Sequence, residues 1–241
     1  MKVTQYCPFY KASKEFESRM SQDTWTAVDE YLESRFIAAD PALEHAQQAT
    51  VEAGLPPHLA VSGLQGKFLQ MLAQIHGAKT ILEIGTLAGY STIWLARALP
   101  EDGRLISLEA VPTNVTLARK NIEYAKLSHL VTIHAGKALD VFPDIERSEN
   151  VPFDLIFIDA DKSGYKDYVD WALKLSRKGT VIILDNVIRD GGIVNFDNNT
   201  RTMRGLREYF DHLAAQHKIT STTLQTVGSK GYDGFTLAVV L

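Results

Sequence analysis

Short apolar runs alternate with helix-compatible sequence through the middle of this 241-residue chain. The apolar runs lie at residues 80–84, 105–108, 131–135, 154–158 and 180–184. Helical patterns lie between them, at 91–99, 113–126 and 165–175. Strands that alternate with helices predict parallel βαβ units, and therefore an α/β fold with a doubly wound sheet and helices on both faces.

The end of the chain departs from this alternation. A helix is predicted at 202–217, followed by strands at 221–227 and 235–240. The connecting residues 228–234 are too few for a crossover helix, so we expect an antiparallel pair. A parallel sheet that ends in a hairpin is not a plain dinucleotide-binding sheet.

Residues 1–60 are predicted to form an N-terminal helical extension that packs on a core domain of residues 61–241. Residues 1–20 show no clear periodicity. Beyond them, Trp25, Val28, Leu32 and Phe36 recur on one face of a helix. A second helix is expected from Pro41 to about residue 54 and a third at 65–76.

Bulk properties indicate an ordinary globular protein, with 45% apolar and 22% charged residues. The net charge of −4 argues against a large nucleic-acid interface, which requires a basic face. Cys7 is the single cysteine and cannot form an internal disulfide, which favours a reducing compartment. With no leader pattern and no apolar run long enough for a membrane span, we expect a cytoplasmic protein without a membrane partner.

Ligands of open α/β sheets bind outside the carboxyl ends of the strands. The first strand ends in a turn that contains Gly85 and Gly89, two residues that let backbone approach a ligand closely. Their spacing differs from G-x-G-x-x-G, so a pyrophosphate cradle is disfavoured. The alternative interpretation is a tight strand-to-helix turn without a ligand.

The second and third strands end in residues suited to a nucleoside. Glu109 lies about 20 residues beyond the glycine turn, where a carboxylate can accept hydrogen bonds from ribose hydroxyls. The small turn at Gly136, Lys137 and Ala138 could admit a flat adenine ring. A solvated acid and a helix N-terminus are the alternatives.

The fourth and fifth predicted strands end in a set of oxygen ligands. Asp159 follows one strand, and Asp185 and Asn186 follow the other. Oxygen donors without histidine or cysteine suit Mg²⁺, Mn²⁺ or Ca²⁺ rather than zinc. Each residue alone could simply cap a helix, but two crowded carboxylates without a cation would repel each other.

Lys162 follows Asp159 by three residues and could point into the same site. Burial and a nearby cation both disfavour the ammonium form, so this amine could act as a base. The alternative is a solvent-exposed lysine, the usual state of this residue type.

Together these segments resemble the catechol and caffeoyl-coenzyme A O-methyltransferase family, especially its bacterial members. The resemblance runs from about Val61 to Leu241. It is carried by Gly63-Leu64-Gln65-Gly66-Lys67, Leu82-Glu83-Ile84-Gly85, Gly89-Tyr90-Ser91-Thr92, Ile158-Asp159-Ala160-Asp161-Lys162 and Asp185-Asn186. The glycine motif indicates only a methyltransferase-like protein, whereas the Asp…Lys and Asp-Asn motifs are specific.

The resemblance implies a Rossmann-like seven-stranded sheet with an antiparallel last strand, and a homodimer that methylates a small catechol-like acceptor. It also implies S-adenosylmethionine as cofactor, together with a divalent cation such as Mg²⁺. The cofactor would contact Val61, Glu83, Gly85, Tyr90, Ser91, Glu109, Gly136, Lys137, Ala138 and Asp159. The metal ligands would be Asp159, Asp185 and Asn186, with Lys162 and Asp159 as catalytic residues.

One residue departs from the family pattern. Mammalian catechol methyltransferases carry an aromatic residue just before the lysine, where this chain has Asp161. The wall of the acceptor site must therefore differ. Three alternatives stay open from the sequence: a transfer-RNA hydroxyuridine O-methyltransferase, a nicotinamide-dependent oxidoreductase, and a non-catalytic adenosylmethionine-binding protein.

Overall fold

The computed structural model describes residues 21–148 and 151–241, so predictions for residues 1–20 and Cys7 fall outside the described residues. The described residues contain a seven-stranded sheet of order β3-β2-β1-β4-β5-β7-β6. Its strands are β1 (Thr80–Ile84), β2 (Arg104–Glu109), β3 (Val131–Ala135), β4 (Phe153–Ile158), β5 (Ser176–Leu184), β6 (Ile219–Gly228) and β7 (Gly231–Val240). Strands β1 to β5 pair in parallel, and β7 is antiparallel to both β5 and β6. The predicted fold class is confirmed.

Eight α-helices accompany the sheet in the described residues. They are α1 (Gln22–Phe36), α2 (Pro41–Glu52), α3 (Gly63–His76), α4 (Tyr90–Ala96), α5 (Pro112–Tyr124), α6 (Ala138–Arg147), α7 (Tyr165–Lys174) and α8 (Arg201–Ala214). Short 3₁₀ turns lie at Pro57–Leu59, Lys162–Gly164 and Gly192–Val194. None of these helices combines the length and apolar character that crossing a bilayer requires, within residues 21–148 and 151–241.

The strands carry apolar side chains on both faces because helices cover the sheet on both sides. In β1, Ile81 belongs to one buried cluster, whereas Leu82 and Ile84 belong to the cluster on the other side. In β4, Leu155 and Phe157 belong to the same cluster as Ile81, and the other apolar residues of the strand belong to the cluster of Leu82 and Ile84. This two-residue alternation between two filled layers explains why the parallel strands read as continuous apolar runs.

The terminal hairpin is tighter than its sequence indicated. Strands β6 and β7 pair along their full length, through Gly228 opposite Gly231, so Ser229 and Lys230 alone form the turn. Gly231 has φ +96°, a backbone conformation that glycine adopts without steric cost. The predicted connection of residues 228–234 is therefore too long. Gly228 still belongs to β6, and residues 231–234 already belong to β7.

Two helix predictions also differ from the structure. Helix α4 ends at Ala96 rather than near residue 99, while α6 forms where only a turn was predicted. Pro143 lies inside α6 and obscures its helical pattern in the sequence. Its Val141, Phe142 and Ile145 nevertheless pack in the core.

The apolar face of α1 is largely open to solvent. Val28 and Phe36 are 50% and 67% exposed, and no residue of α1 is fully buried. The helix packs edgewise against α3 and β6. Where the chain divides into domains, whether at residue 60 or elsewhere, stays a prediction.

Asp154 anchors the edge of the sheet opposite the strands' carboxyl ends. Its buried carboxylate accepts hydrogen bonds from the N–H groups of Lys79 (2.8 Å) and Thr80 (2.9 Å) and pairs with Arg177 at 2.5 Å. Burial raises the pKa of Asp154, but these donors outweigh it and the pKa is lowered overall. One side chain thus connects the starts of β1, β4 and β5.

Replacing Asp154 by alanine should lower the free energy of unfolding by about 2–4 kcal/mol, because two backbone N–H groups lose their acceptor. A carboxyl group with a lowered pKa in the folded state stabilises fully above its unfolded pKa of about 3.9. The difference from wild type should therefore be complete at pH 7 and shrink below about pH 4, as measured by urea denaturation. Asp144→Ala is the control, since that carboxylate is 68% exposed and pairs with Arg147 on the protein surface. Equal losses in both variants would contradict the assignment.

Candidate functional site

The carboxyl ends of the parallel strands open into a single cavity of about 1400 Å³. Most residues predicted for the site line it, and they lie where the strands end. These are Val61, Gly85, Ser91, Glu109, Gly136, Lys137, Ala138, Asp159, Lys162, Asp185 and Asn186. Glu83 and Tyr90, which were predicted to contact the cofactor, are not among the lining residues.

Gly85 lies where β1 passes closest to the loop after β4. Its φ is +102°, and a Cβ at this position would lie 2.0 Å from the carbonyl oxygen of Asp159. No side chain fits this contact, so the sequence requires glycine here. The close approach brings the glycine turn and the acidic end of the cavity together.

Glu109 is held in position by backbone groups at both sides of its carboxylate. One oxygen accepts from the N–H of Leu87 (2.8 Å), and the other from the N–H of Val111 (2.9 Å). Asn114 lies near the second oxygen, at 3.4 Å. Val111 and Asn114 both donate to this second oxygen, so the free lone pair lies on the first oxygen, where the rigid carboxylate can still accept from a hydroxyl group in the cavity.

Glu83 lies beneath the cavity floor and is completely buried. Its carboxylate accepts hydrogen bonds from Ser91 (2.6 Å), Thr92 (2.5 Å) and Ser107 (2.6 Å), and Thr86 lies 2.5 Å from the Ser107 hydroxyl. Burial raises the pKa of Glu83 to about 7 against the effect of these hydroxyls. The acid therefore orders Ser91, which does line the cavity, while direct contact of Glu83 with the cofactor stays a prediction.

Tyr90 is also buried behind the cavity, with 5% of its surface exposed. Its hydroxyl lies close to Gly63, the first residue of α3, whose N–H donates to Glu33 of α1 at 3.1 Å. Burial raises the pKa of this phenol. Tyr90 is the first residue of α4 and lies next to the start of α3, and its predicted contact with the cofactor stays a prediction.

The acidic end of the cavity contains the predicted metal ligands and lysine. Lys162 Nζ lies 2.7 Å from Asp159 Oδ1, and both side chains are largely shielded from solvent. Asp185 is 4% exposed, and its Oδ1 accepts from the backbone N–H of Asn186 at 2.8 Å. Asn186 has φ +53°, a left-handed conformation that asparagine tolerates better than most residues.

The acidic end of the cavity has two carboxyl groups, Asp159 and Asp185, beside one lysine, Lys162. Burial and the neighbouring Asp159 raise the pKa of Asp185, while Lys162 acts in the opposite direction. Within residues 21–148 and 151–241, no three histidine, cysteine or acidic side chains form a group that could hold a metal ion. The set at this end has two carboxyl groups and one amide, all of them oxygen donors, and this chemistry fits a hard divalent cation.

Three contacts at this end, made by Gln65 and Tyr165, were missed by the sequence analysis. Gln65 of α3 donates from Nε2 to Asp185 Oδ2 at 2.7 Å, across 120 residues of chain. The hydroxyl of Tyr165 lies 2.7 Å from both Lys162 Nζ and the carbonyl oxygen of Asp185. Gln65 lies in one of the motifs that carry the family resemblance, but the spacing of residues in the sequence does not predict its hydrogen bond to Asp185.

The hairpin turn joins two other segments beside the cavity. Lys230 Nζ donates to the carbonyls of Pro57 (3.1 Å) and Ala60, and burial lowers its pKa. Gln22 of α1 donates to the carbonyl of Gly228 at 3.0 Å, and Asp29 of α1 accepts from the N–H of Ser229 at 2.7 Å. The turn thereby holds α1 and the loop before α3 at the mouth of the cavity.

The loop after Asn186 is tied to α8. Arg189, Asp190 and Gly191 all have positive φ, between 52° and 74°. Arg207 of α8 donates to the carbonyls of Gly192, Ile193, Asn195 and Asn198 at 2.6–3.3 Å. Arg207 therefore holds the residues between Gly192 and Asn198 against α8.

A parallel sheet whose last strand is reversed, with a nucleoside-sized cavity at its carboxyl edge, defines a cofactor-binding α/β enzyme. The model of the O-methyltransferase family matches residues 34–240. The chain is 48% identical to a catechol O-methyltransferase from Niastella koreensis, over 92% of this chain and 100% of that protein.

Solved structures agree with this match. The O-methyltransferase from Bacillus cereus in complex with SAH superposes with a TM-score of 0.90 and 52% identity, covering 92% of this chain and 100% of that one. The O-methyltransferase TomG from Streptomyces achromogenes, involved in tomaymycin synthesis and in complex with SAM, gives 0.88 and 47%, covering 92% and 99%.

This chain belongs to the O-methyltransferase family. It is an S-adenosylmethionine-dependent O-methyltransferase, and the recognised family, the enzyme class and this cofactor are confirmed. The nicotinamide-dependent oxidoreductase considered from the sequence is thereby excluded.

Replacing Glu109 by alanine should weaken S-adenosylmethionine binding by on the order of 1–3 kcal/mol, because the ribose hydroxyls would lose their acceptor in a partly buried site. Isothermal titration calorimetry measures this loss directly. Glu101→Ala is the control, since Glu101 is an exposed acid in the loop before β2 and does not line the cavity. Wild-type affinity in Glu109→Ala would show that this carboxylate does not hold the ribose.

Proposed function

We propose that the enzyme transfers a methyl group from S-adenosylmethionine to one hydroxyl of a small catechol-like acceptor with adjacent hydroxyls, with the help of a divalent cation. The observation that carries this proposal is the grouping of Asp159, Asp185, Asn186 and Lys162 at one end of the cofactor cavity. The relative from Niastella koreensis named catechol O-methyltransferase supports this acceptor class.

The cavity divides naturally into a cofactor end and an acceptor end. Gly85, Ser91, Glu109 and the turn at Gly136–Ala138 would hold S-adenosylmethionine, with Glu109 on its ribose. The Val61 segment would line the methionine portion. The loop carrying Asp159 touches the glycine turn, so Asp159 would border both the cofactor and the acceptor.

Asp159, Asp185 and Asn186 would hold the cation, most simply Mg²⁺, with Mn²⁺ or Ca²⁺ as alternatives. When bound there, a divalent cation lowers the pKa of a coordinated hydroxyl, as metals do for bound water. Asn186 N–H and Gln65 fix the two oxygens of Asp185 and would restrict its orientation.

Lys162 would take the proton from the acceptor hydroxyl. A phenol has a pKa near 10, so little phenolate exists at pH 7 without such help. The acceptor oxygen then forms a bond to the sulfonium-bound methyl carbon as the carbon–sulfur bond breaks, leaving a neutral thioether. Holding both reactants in line supplies several kcal/mol toward the barrier.

The wall of the acceptor end includes charged side chains next to Lys162 in the chain. Asp161 lines the cavity where mammalian relatives carry an aromatic residue, and Arg201 lies 3.7 Å from it. Nine acidic and five basic side chains line the whole cavity. This acidic lining favours a small molecule over transfer RNA, whose phosphates would be repelled.

Chelation should abolish turnover while leaving most S-adenosylmethionine binding intact, because the cation would contact the acceptor rather than the sulfonium. Asp185→Ala should have the same pair of effects, and Glu101→Ala should have neither. The measurements are methyl transfer to a panel of catechols and to undermodified transfer RNA, with and without EDTA, beside calorimetric cofactor binding. Full-rate methylation of a catechol in excess EDTA would refute the metal proposal, and methylation of the transfer RNA alone would refute the acceptor class.

We also propose that the protein is a homodimer. Apolar side chains are exposed on α1 and on two elements that it contacts: Val28 and Tyr31 on α1, Met71 and Ile75 on α3, and Leu224 on β6. Exposed apolar surface of this kind is typical of protein interfaces.

Light scattering coupled to size exclusion should report about twice the chain mass of 26.8 kDa at micromolar concentration. The expected reason is burial of these side chains between two copies. Ile75→Glu should shift the equilibrium toward the monomer, because Ile75 is 81% exposed in the single chain. A wild-type mass of one chain at that concentration would contradict the proposal.

A further inference from the structure

Tyr165 is a completely buried tyrosine whose hydroxyl reaches the base proposed above. It is the first residue of α7, and its ring packs edge-on against Tyr209 of α8, with centroids 5.7 Å apart. Its hydroxyl lies 2.7 Å from Lys162 Nζ, 2.7 Å from the Asp185 carbonyl oxygen and 3.2 Å from the Ile158 carbonyl oxygen. A buried hydroxyl with three polar neighbours sits in a fixed orientation.

The direction of these hydrogen bonds follows from the groups involved. Both carbonyl oxygens can only accept, and a phenol has one proton to give. The Tyr165 proton therefore goes to Asp185, the closer carbonyl, and Lys162 must donate one N–H to the phenol oxygen. The result is a chain of donors from the amine through the phenol to the backbone of a proposed metal ligand.

The geometry at Lys162 leaves one position on the nitrogen free. Besides Cε, the nitrogen has three tetrahedral positions. One is directed to Asp159 Oδ1 at 2.7 Å and a second to Tyr165. Because Lys162 lines the cavity, the third position is the one available to an acceptor hydroxyl.

We propose that Tyr165 is a positioning residue for methyl transfer. Its hydroxyl holds Lys162 so that the third nitrogen position faces the acceptor, and it ties this nitrogen to the ends of β4 and β5. The inference rests on the proposed role of Lys162 as the base. Without the phenol, the amine keeps only Asp159 as a fixed partner and can rotate away from the acceptor.

The test is a double-mutant cycle on catechol methylation, with Tyr165→Phe, Lys162→Ala and the double variant. Tyr165→Phe should lower kcat about 10- to 100-fold, while KM for the acceptor and the Kd of S-adenosylmethionine change less than about twofold, because misplacing a catalytic group slows chemistry rather than binding. In the Lys162→Ala background the same substitution should have almost no further effect.

Tyr209→Phe is the matched control. It removes a hydroxyl from the adjacent, completely buried ring, which lies beside Thr236 rather than Lys162. Its kcat should stay within about twofold of wild type, and thermal melting of both Phe variants shows whether they fold equally well.

The possible outcomes distinguish the proposal that Lys162 is the base from the proposal that Tyr165 positions it. Wild-type kcat in Lys162→Ala would refute the base, and the inference with it. If Lys162→Ala is impaired but Tyr165→Phe lowers kcat equally in both backgrounds, the base stands and the positioning role is refuted. Equal losses of kcat in Tyr165→Phe and Tyr209→Phe would refute it as well.

Discussion

The hydrogen-bond ladder of the parallel sheet continues one residue beyond the strands, and the cavity depends on this extension. The N–H of Asp159 donates to the Ile84 carbonyl at 2.8 Å, and the N–H of Asp185 donates to the Ile158 carbonyl at 3.0 Å. Gly85 continues the ladder toward β2 in the same way. Loop residues are usually free of the hydrogen bonds of a sheet. Here the first residue after β1, β4 and β5 is still hydrogen-bonded to the neighbouring strand. Side chains from separate strands therefore meet at a common edge without a dedicated scaffold.

This constraint explains how much of the site could be predicted. Parallel strands whose buried runs end in Asp159 and Asp185 must bring those residues to the same edge, whatever the loops do next. The same reasoning predicts that Glu109 lies at this edge, because it ends β2. These predictions used only strand ends and chain direction, which a sequence records well.

Glu83 and Tyr90 show where the same reasoning stops. Both lie within a motif that resembles a cofactor site, but the motif does not state which way each side chain points. Within a strand, neighbouring side chains face opposite sides of the sheet, so Glu83 can lie next to the glycine turn in sequence and still be buried below it. The three hydroxyls that satisfy Glu83 come from β2 and α4, and only the folded chain brings them together. The partners of Gln65 and Arg207 were unpredictable for the same reason.

The two-residue hairpin at Ser229-Lys230 has a consequence for how the molecule is built. Gln22 and Asp29 of α1 contact this turn, which is 200 or more residues away in the chain. During synthesis the first helix emerges long before its docking partner exists, so it must wait for the last strands. The mouth of the cavity thus takes its final form only after β6 and β7 have been synthesised, and a nascent chain holds the strand ends of its cofactor site before it can enclose anything there.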